Sequence, residues 1–269
     1  MQVAANLRRN LKTAAMDEIQ SSLFKASADD KLPPKEKHVI KLLRVVGEDS
    51  ASAEHVDAEL AKRLQSCRAP RSANVAAKAL LIFHRIASAG HGGVLQAAAL
   101  SLDAVCISPQ GRNTQSDYIK TCASYMRVLC AWGGAGELRD GADAMWHGQD
   151  ERNVLRSMPP LQQVTHAAMD AAMGGRVANP AFHALRVAIV EDALSLFRAQ
   201  TAGAARIHAA LLALPTGLVD DASASASGSG NSALEVLEQA HALSRKALGL
   251  QHGLVEEVRG EARNYFNFF

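Results

Sequence analysis

An all-α fold is what this sequence predicts, on three observations. Apolar residues recur at helical spacing along nearly the whole chain, beginning with Val3, Leu7, Leu11, Ala15, Ile19 and Leu23. The composition is 48% hydrophobic but only 4% aromatic, with alanine abundant. Small apolar side chains with few strand formers favour packed helices. Finally, no alternating strand pattern bounded by turns and no fixed-period repeat can be read. A chain of 269 residues can bury a sizeable core without disulfides or metals. About ten helices are expected, antiparallel neighbours joined by short loops.

The elements follow in order. The first helix carries Arg8, Arg9, Lys12, Asp17 and Glu18 between its apolar positions and stops near Phe24–Lys25. Pro33-Pro34 marks a new start, since proline suits a first helical turn. The second helix carries Val39, Ile40, Leu42, Leu43 and Val46 and ends at Gly47. Residues 52–65 form a third, with Val56, Leu60 and Leu64 inward. Residues 72–88 are apolar almost without interruption, closed by Gly90, and this helix belongs in the middle of the bundle. Helices over 94–105 and 114–131 come next. The glycine-rich stretch 133–149 reads as a loop around one short turn. Residues 153–173 and 180–214 make two or three more helices, with Pro159-Pro160 expected to break or kink the first. Residues 215–231 contain a Ser/Ala/Gly low-complexity run and are expected to be a flexible loop. A helical extension over 232–269 ends in Tyr265, Phe266, Phe268 and Phe269.

Several function classes find no support. A formal net charge of +2 is too small for nucleic-acid binding on global charge. Cys67, Cys106, Cys122 and Cys130 form no C-x-x-C pair and read as reduced thiols. No apolar run is long enough to span a membrane, and Met1 to Lys12 lacks the pattern of a secretory signal. There is no H-E-x-x-H, no G-x-S-x-G elbow and no phosphate-cradling glycine motif, so neither an enzyme, a metal site nor a cofactor is expected. His84, beside Arg85 on the apolar helix, reads as a core or boundary histidine.

The informative segment runs from Lys25 to His38. Lys25 ends one helix, and Lys35, Lys37 and His38 open the next. Cations at a helix N-terminus oppose its dipole. An anion would reconcile them, because helix-start amides bind phosphate and lysines add point charges. His38 can donate a hydrogen bond to a phosphate oxygen. Lys37, Lys41 and Arg44 share one stripe, and Arg8 and Lys12 are further candidates for the same surface. Each cation near an anionic membrane is worth roughly 1 kcal/mol, so four to six give a reversible attachment of roughly 4–6 kcal/mol. The bland alternative is a solvated helix face, a common fate of such charge patterns.

The spacing Lys25, nine residues, Lys35, one residue, Lys37-His38 resembles the inositide-binding signature of ANTH domains, the N-terminal part of the monomeric clathrin assembly proteins. Phe24-Lys-Ala-Ser and Pro33-Pro-Lys-Glu-Lys-His-Val39 are similar to the same family segment. Lys78-Ala-Leu-Leu-Ile-Phe-His84-Arg-Ile86 with Gly90 resembles the family's K-A-L helix. Tyr118 to Met126 and Leu155 to Gln162 resemble later family helices. The likeness reaches about residue 215 and is strongest before residue 130. It departs at Ala73-Asn74, where a Trp is usual, and at Cys122, where a Tyr is expected. Both departures are expected to concern the core and to leave the basic segment untouched.

The resemblance implies one ANTH domain over residues 1–269, built as a superhelical solenoid of the ANTH/ENTH/VHS kind. It implies phosphatidylinositol-4,5-bisphosphate bound by Lys25, Lys35, Lys37 and His38, without chemistry. The implied setting is an endocytic adaptor, cytoplasmic and peripheral on the plasma membrane, at clathrin-coated pits and vesicles. Clathrin would be bound by regions outside this chain, and the protein would be a monomer. A rival is a module that grips a SNARE helix or cargo through its C-terminal helices, with the aromatic cluster as anchors; the same aromatics could instead cap the core. The Leu7, Leu11 and Ile19 face either packs on the second helix or lies in the headgroup layer.

Overall fold

The computed structural model describes residues 18–67, 73–106, 114–133, 144–174 and 179–212. Among these the fold is all-α, with eight α-helices. They are α1 (18–26), α2 (Glu36–Glu48), α3 (Ser50–Ser66), α4 (Ala73–Ile86), α5 (Gln96–Cys106), α6 (Thr114–Trp132), α7 (Glu151–Met173) and α8 (Pro180–Leu212). Arg8, Lys12, the loop at 215–231, the extension at 232–269 and its aromatic cluster lie outside the described residues. The described residues fall into two units, 18–133 with 174 and 179–189, and 144–173 with 190–212.

In the first unit, α3 packs against α2, α4 and α5, and α6 packs against α4 and α5. The periodicities explain this. Ile19 and Leu23 of α1 are buried, as are Val39, Leu42 and Val46 of α2 and Val56, Leu60 and Leu64 of α3. Each set lies at three- or four-residue spacing on one helix face. The described end of the first apolar stripe is therefore core rather than surface. Helix α4 buries Val75, Ala77, Leu80, Ile82, Phe83 and Ile86, and it meets α2, α3 and α6. This is the central position that its composition predicts. His84 is buried too, with Ser88 Oγ 3.3 Å from its Nε2. The chain leaves α4 through a π-helical turn in which Gly90 takes φ +89°, a conformation that favours glycine.

Two carboxylates set helix starts. Helix α2 runs one residue past Gly47, and Asp49 both ends it and caps α3, accepting from Ser52 N at 2.8 Å. Asp57 of α3 is buried and accepts from Ala97 N and Ala98 N of α5, both at 2.8 Å. It thereby satisfies two amides at the start of α5 that lack partners within the helix. In α6, Tyr118, Cys122, Tyr125, Met126 and Leu129 are all buried. The Tyr118 ring stands 6.2 Å from that of Phe182 at the start of α8. Cys67, Cys122 and Cys130 are free thiols.

In the second unit the break that the prolines could have caused is absent. Pro159 and Pro160 lie inside α7, and the helix continues through both. An internal proline costs about 3 kcal/mol. Val154, Met158, Leu161, Val164 and Ala168, on both sides of the pair, are fully buried. Large apolar side chains contribute roughly 1.5–3 kcal/mol each when buried, which offsets the lost hydrogen bonds. A short 3-10 turn, Ala144–Trp146, places the Trp146 indole in this unit's core, its Nε1 donating to Ala199 O at 2.6 Å.

Candidate functional site

The loop of the basic segment is tied by hydrogen bonds from Ser27 to Leu32. At the end of α1, Ser27 is fully buried, and Arg63 of α3 donates from Nε to Ser27 Oγ and from its terminal nitrogen to Ser27 O, both at 2.8 Å. The same guanidinium lies 4.8 Å from the centre of the Phe24 ring. Next along the loop, Lys78 of α4 donates to Ala28 O at 2.8 Å and to Asp30 Oδ1 at 2.5 Å. Asp30 Oδ1 also accepts from Leu32 N at 2.9 Å, a local turn of the kind Asp favours. Lys31 O accepts from Ala181 N at 3.0 Å, at the first turn of α8. Asn179 caps that turn through Ala181 N and donates to Asn74 Oδ1 at 2.7 Å, and Asn74 in turn donates to Asp29 Oδ1 at 3.4 Å.

Asn74 thus corrects the expectation that this departure leaves the basic segment alone. A tryptophan would lack the two-sided amide that joins Asn179 to Asp29. The other departure, Cys122, is fully buried in α6.

Lys35 is the N-cap of α2, and its side chain makes no capping bond; Lys37 and His38 follow in the first turn. Helix start and proline pair are therefore offset, with Pro33-Pro34 before the cap rather than inside the helix. A lysine cannot accept a hydrogen bond, so no side chain on this cap satisfies the first-turn amides. Lys25, Lys35 and Lys37 are exposed and have no ion-pair partner among the described residues. The one carboxylate in the first turn, Glu36, is engaged by Arg85 at 2.6 Å. The local field is consequently positive.

His38 records that field. Partial burial holds its imidazole below the ordinary value, and the charges of Lys37, Lys25 and Lys35 push it the same way. The structure therefore brings together all four residues that the spacing singled out. Asp30 responds in the opposite sense. The Lys78 hydrogen bond holds its carboxyl below the ordinary value, with Leu32 N, Lys78 and Lys35 adding to the effect against its desolvation.

Lys41 and Arg44 stand differently. Lys41 pairs with Glu18, and Arg44 Nε lies 3.3 Å from Glu48 Oε1. Their charge is partly answered within the chain. Residues that the sequence did not single out for the site are Lys31, exposed in the loop, and the holding group Arg63, Asn74, Lys78 and Asn179. Of these, Lys78 left a signal as a lone ammonium amid an apolar helix, and Asn74 left one as part of a departure from the family pattern.

Three exposed ammoniums, a half-buried imidazole and a helix start without a side-chain cap are groups whose chemistry suits anionic oxygens. No helix among the described residues is long and apolar enough to cross a membrane.

Residues 18–131 match the family model of the ANTH domain. The resemblance read from the basic segment thus holds over the stretch that contains it. No curated protein matches the chain. Among solved structures, a chain of the endocytic adaptor complex AENTH matches with a TM-score of 0.50 at 14% identity, over 88% of this chain and 92% of that one. At that identity the likeness concerns the helical fold.

Proposed function

We propose that this chain is the membrane-recruitment module of an endocytic adaptor, holding phosphatidylinositol-4,5-bisphosphate through Lys25, Lys35, Lys37 and His38. The observation that carries the reading is the convergence on His38, at the start of α2, of three exposed lysines that have no ion-pair partner among the described residues. The ANTH match over 18–131 supports it, since all four residues fall inside that stretch. The similar AENTH chain comes from an endocytic adaptor complex, which supports the setting.

The mode of action is binding without chemistry. Vicinal phosphates of the headgroup meet Lys25, Lys35 and Lys37 as point charges. His38 donates a hydrogen bond, and the α2 amides add their dipole. Lys41 and Arg44 contribute after releasing Glu18 and Glu48, and exposed pairs of that kind are worth little to keep. The chain acts as a monomer on the cytoplasmic face of coated pits, with clathrin bound elsewhere in the assembly.

The test is cosedimentation with vesicles carrying either phosphatidylinositol-4,5-bisphosphate or phosphatidylserine at equal charge, for wild type and Lys35→Glu/Lys37→Glu. Preference for the inositide, lost in the double variant, supports the reading. Binding indifferent to both lipid and mutation refutes it.

A further inference from the structure

The six large apolar side chains exposed among the described residues are unevenly placed: Leu32 lies inside the basic segment, and Phe24 and Ile40 lie within two residues of its ends. Phe24 is answered by Arg63. Leu32 is 61% exposed and lies in the loop between Lys31 and Lys35. Ile40 is 56% exposed, one turn beyond Lys37 on the same stripe of α2.

A single exposed leucine needs no explanation. Leu100 is 79% exposed on α5, a helix without lysine or arginine, and means nothing further. Leu32 differs in how it is held. Its own amide donates to Asp30 Oδ1, the preceding carbonyl accepts from Ala181 N, and Asp30 is gripped by the buried Lys78. Pro33 and Pro34 fix the backbone just after it. A loop tip carrying an apolar side chain into water is thus ordered before any ligand arrives. Ordering is among the main costs of docking, and here it falls on folding instead.

The geometry points to Leu32 as an apolar wedge that enters the acyl boundary of an anionic bilayer while the neighbouring lysines hold headgroup phosphates. This inference rests on the lipid-binding reading and deepens it. Charge complementarity selects the occupant. Cations within three residues of the wedge suit an interface where phosphates lie just above hydrocarbon. A soluble polyanion would use the lysines and be indifferent to Leu32. A protein groove would need Leu32 but no lipid.

The test uses three variants, Leu32→Asn, Leu32→Trp and Leu100→Trp, with phosphatidylcholine vesicles containing phosphatidylinositol-4,5-bisphosphate and with soluble inositol trisphosphate. Leu32→Asn should bind the soluble headgroup like wild type yet partition onto vesicles roughly tenfold more weakly. The indole of Leu32→Trp should be quenched by brominated acyl chains beyond the wild-type signal of Trp132 and Trp146, and that of Leu100→Trp should not. Unchanged vesicle binding by Leu32→Asn, with no added quenching in Leu32→Trp, overturns the wedge and leaves the headgroup site standing. Loss of soluble-headgroup binding in Leu32→Asn also overturns it, because Leu32 would then be shaping the site. If wild type binds neither headgroup nor vesicle, both readings fall together.

Discussion

Lys78 Nζ lies 2.5 Å from Asp30 Oδ1, and the lysine that makes this contact is almost wholly buried in the apolar helix α4 while its partner sits half-exposed in the basic loop. Burying an ammonium is costly unless it is paired and hydrogen-bonded, and Ala28 O at 2.8 Å supplies the second bond. The arrangement makes Lys78 a positioning residue for the loop that carries Leu32 and leads to Lys35.

Lys78→Met follows from this. The substitution keeps an unbranched side chain of similar length but removes both donors. A hydrogen bond to a charged group contributes about 1.5–3 kcal/mol, and Asp30 can regain water because it is half-exposed. Urea unfolding should register a loss toward the low end of that range. Hydrogen exchange should show faster opening at residues 28–32 than elsewhere in the first unit. Uniform acceleration would instead make Lys78 a core residue with no special hold on the loop. Because Asp30 is depressed in the folded state, this contribution is present above the ordinary carboxyl value of 3.8 and is lost as pH falls through the lower folded value.

His38 gives the second prediction, on pH. Its folded value lies below the ordinary 6.5, which favours the neutral form in the free protein. An inositol phosphate would reverse the electrostatic cause by neutralising Lys37, Lys25 and Lys35. The imidazole value should therefore rise on binding, and binding should take up protons and strengthen as pH falls toward 6. The free protein moves the other way. Its unfolded state protonates first, so this histidine withdraws stability as pH falls below 6.5. Following the His38 imidazole by NMR with and without soluble inositol trisphosphate checks the sign. An unmoved titration would remove His38 from the headgroup site.

How much of this was legible beforehand depended on range along the chain. The helix faces were readable because Val39, Leu42 and Val46, or Val56, Leu60 and Leu64, state their burial within a few residues of one another. The basic segment was readable because Lys25 to His38 spans only a loop and two helix ends. What holds the loop comes from far away. Arg63 is 36 residues from Ser27, Lys78 is 50 from Ala28, and Asn179 is 105 from Asn74. No local pattern encodes such pairings, and Ala73-Asn74 where a tryptophan is usual looked like a matter for the core. The absence of a break at the proline pair has a related reason, since the packing of α7 around it is tertiary.

Asp57 is a third test, of a cap supplied by another helix. Burial raises its carboxyl above the ordinary value of 3.8, while the amides of Ala98 and Ala97 pull against that. A carboxyl raised on folding binds protons more readily in the native state, so ionising it costs stability at neutral pH, and the two amide bonds offset that cost. Asp57→Ala should destabilise by about 1–3 kcal/mol, because it leaves both amides without an acceptor. Hydrogen exchange at Ala97 and Ala98 should quicken more than at Ala53 on the same helix as Asp57. A neutral result in unfolding would show that water replaces the carboxylate.

The last prediction concerns Gly203 in the second unit, at a point where helix propensity and packing disagree. Alanine is favoured over glycine in a helix interior by about 1 kcal/mol, so propensity alone makes Gly203→Ala stabilising. A Cβ at that position would stand 2.8 Å from Trp146 Cζ2 and 2.8 Å from Met158 Sδ, nearer than such atoms normally approach. The thioether is flexible and can yield. The indole is not, because its Nε1 donates to Ala199 O at 2.6 Å one turn earlier on the same helix. Arg206 fixes the segment further by donating to Trp146 O and to Gln149 O, the latter at 2.6 Å. Overpacking of this kind costs about 1–3 kcal/mol, which exceeds the propensity gain over most of that range. Gly203→Ala should therefore lower the unfolding midpoint and red-shift the emission of Trp146 as its seat is disturbed. A rise in stability of about 1 kcal/mol, with emission unchanged, would mean that propensity wins and that Trp146 is not held against α8 as described.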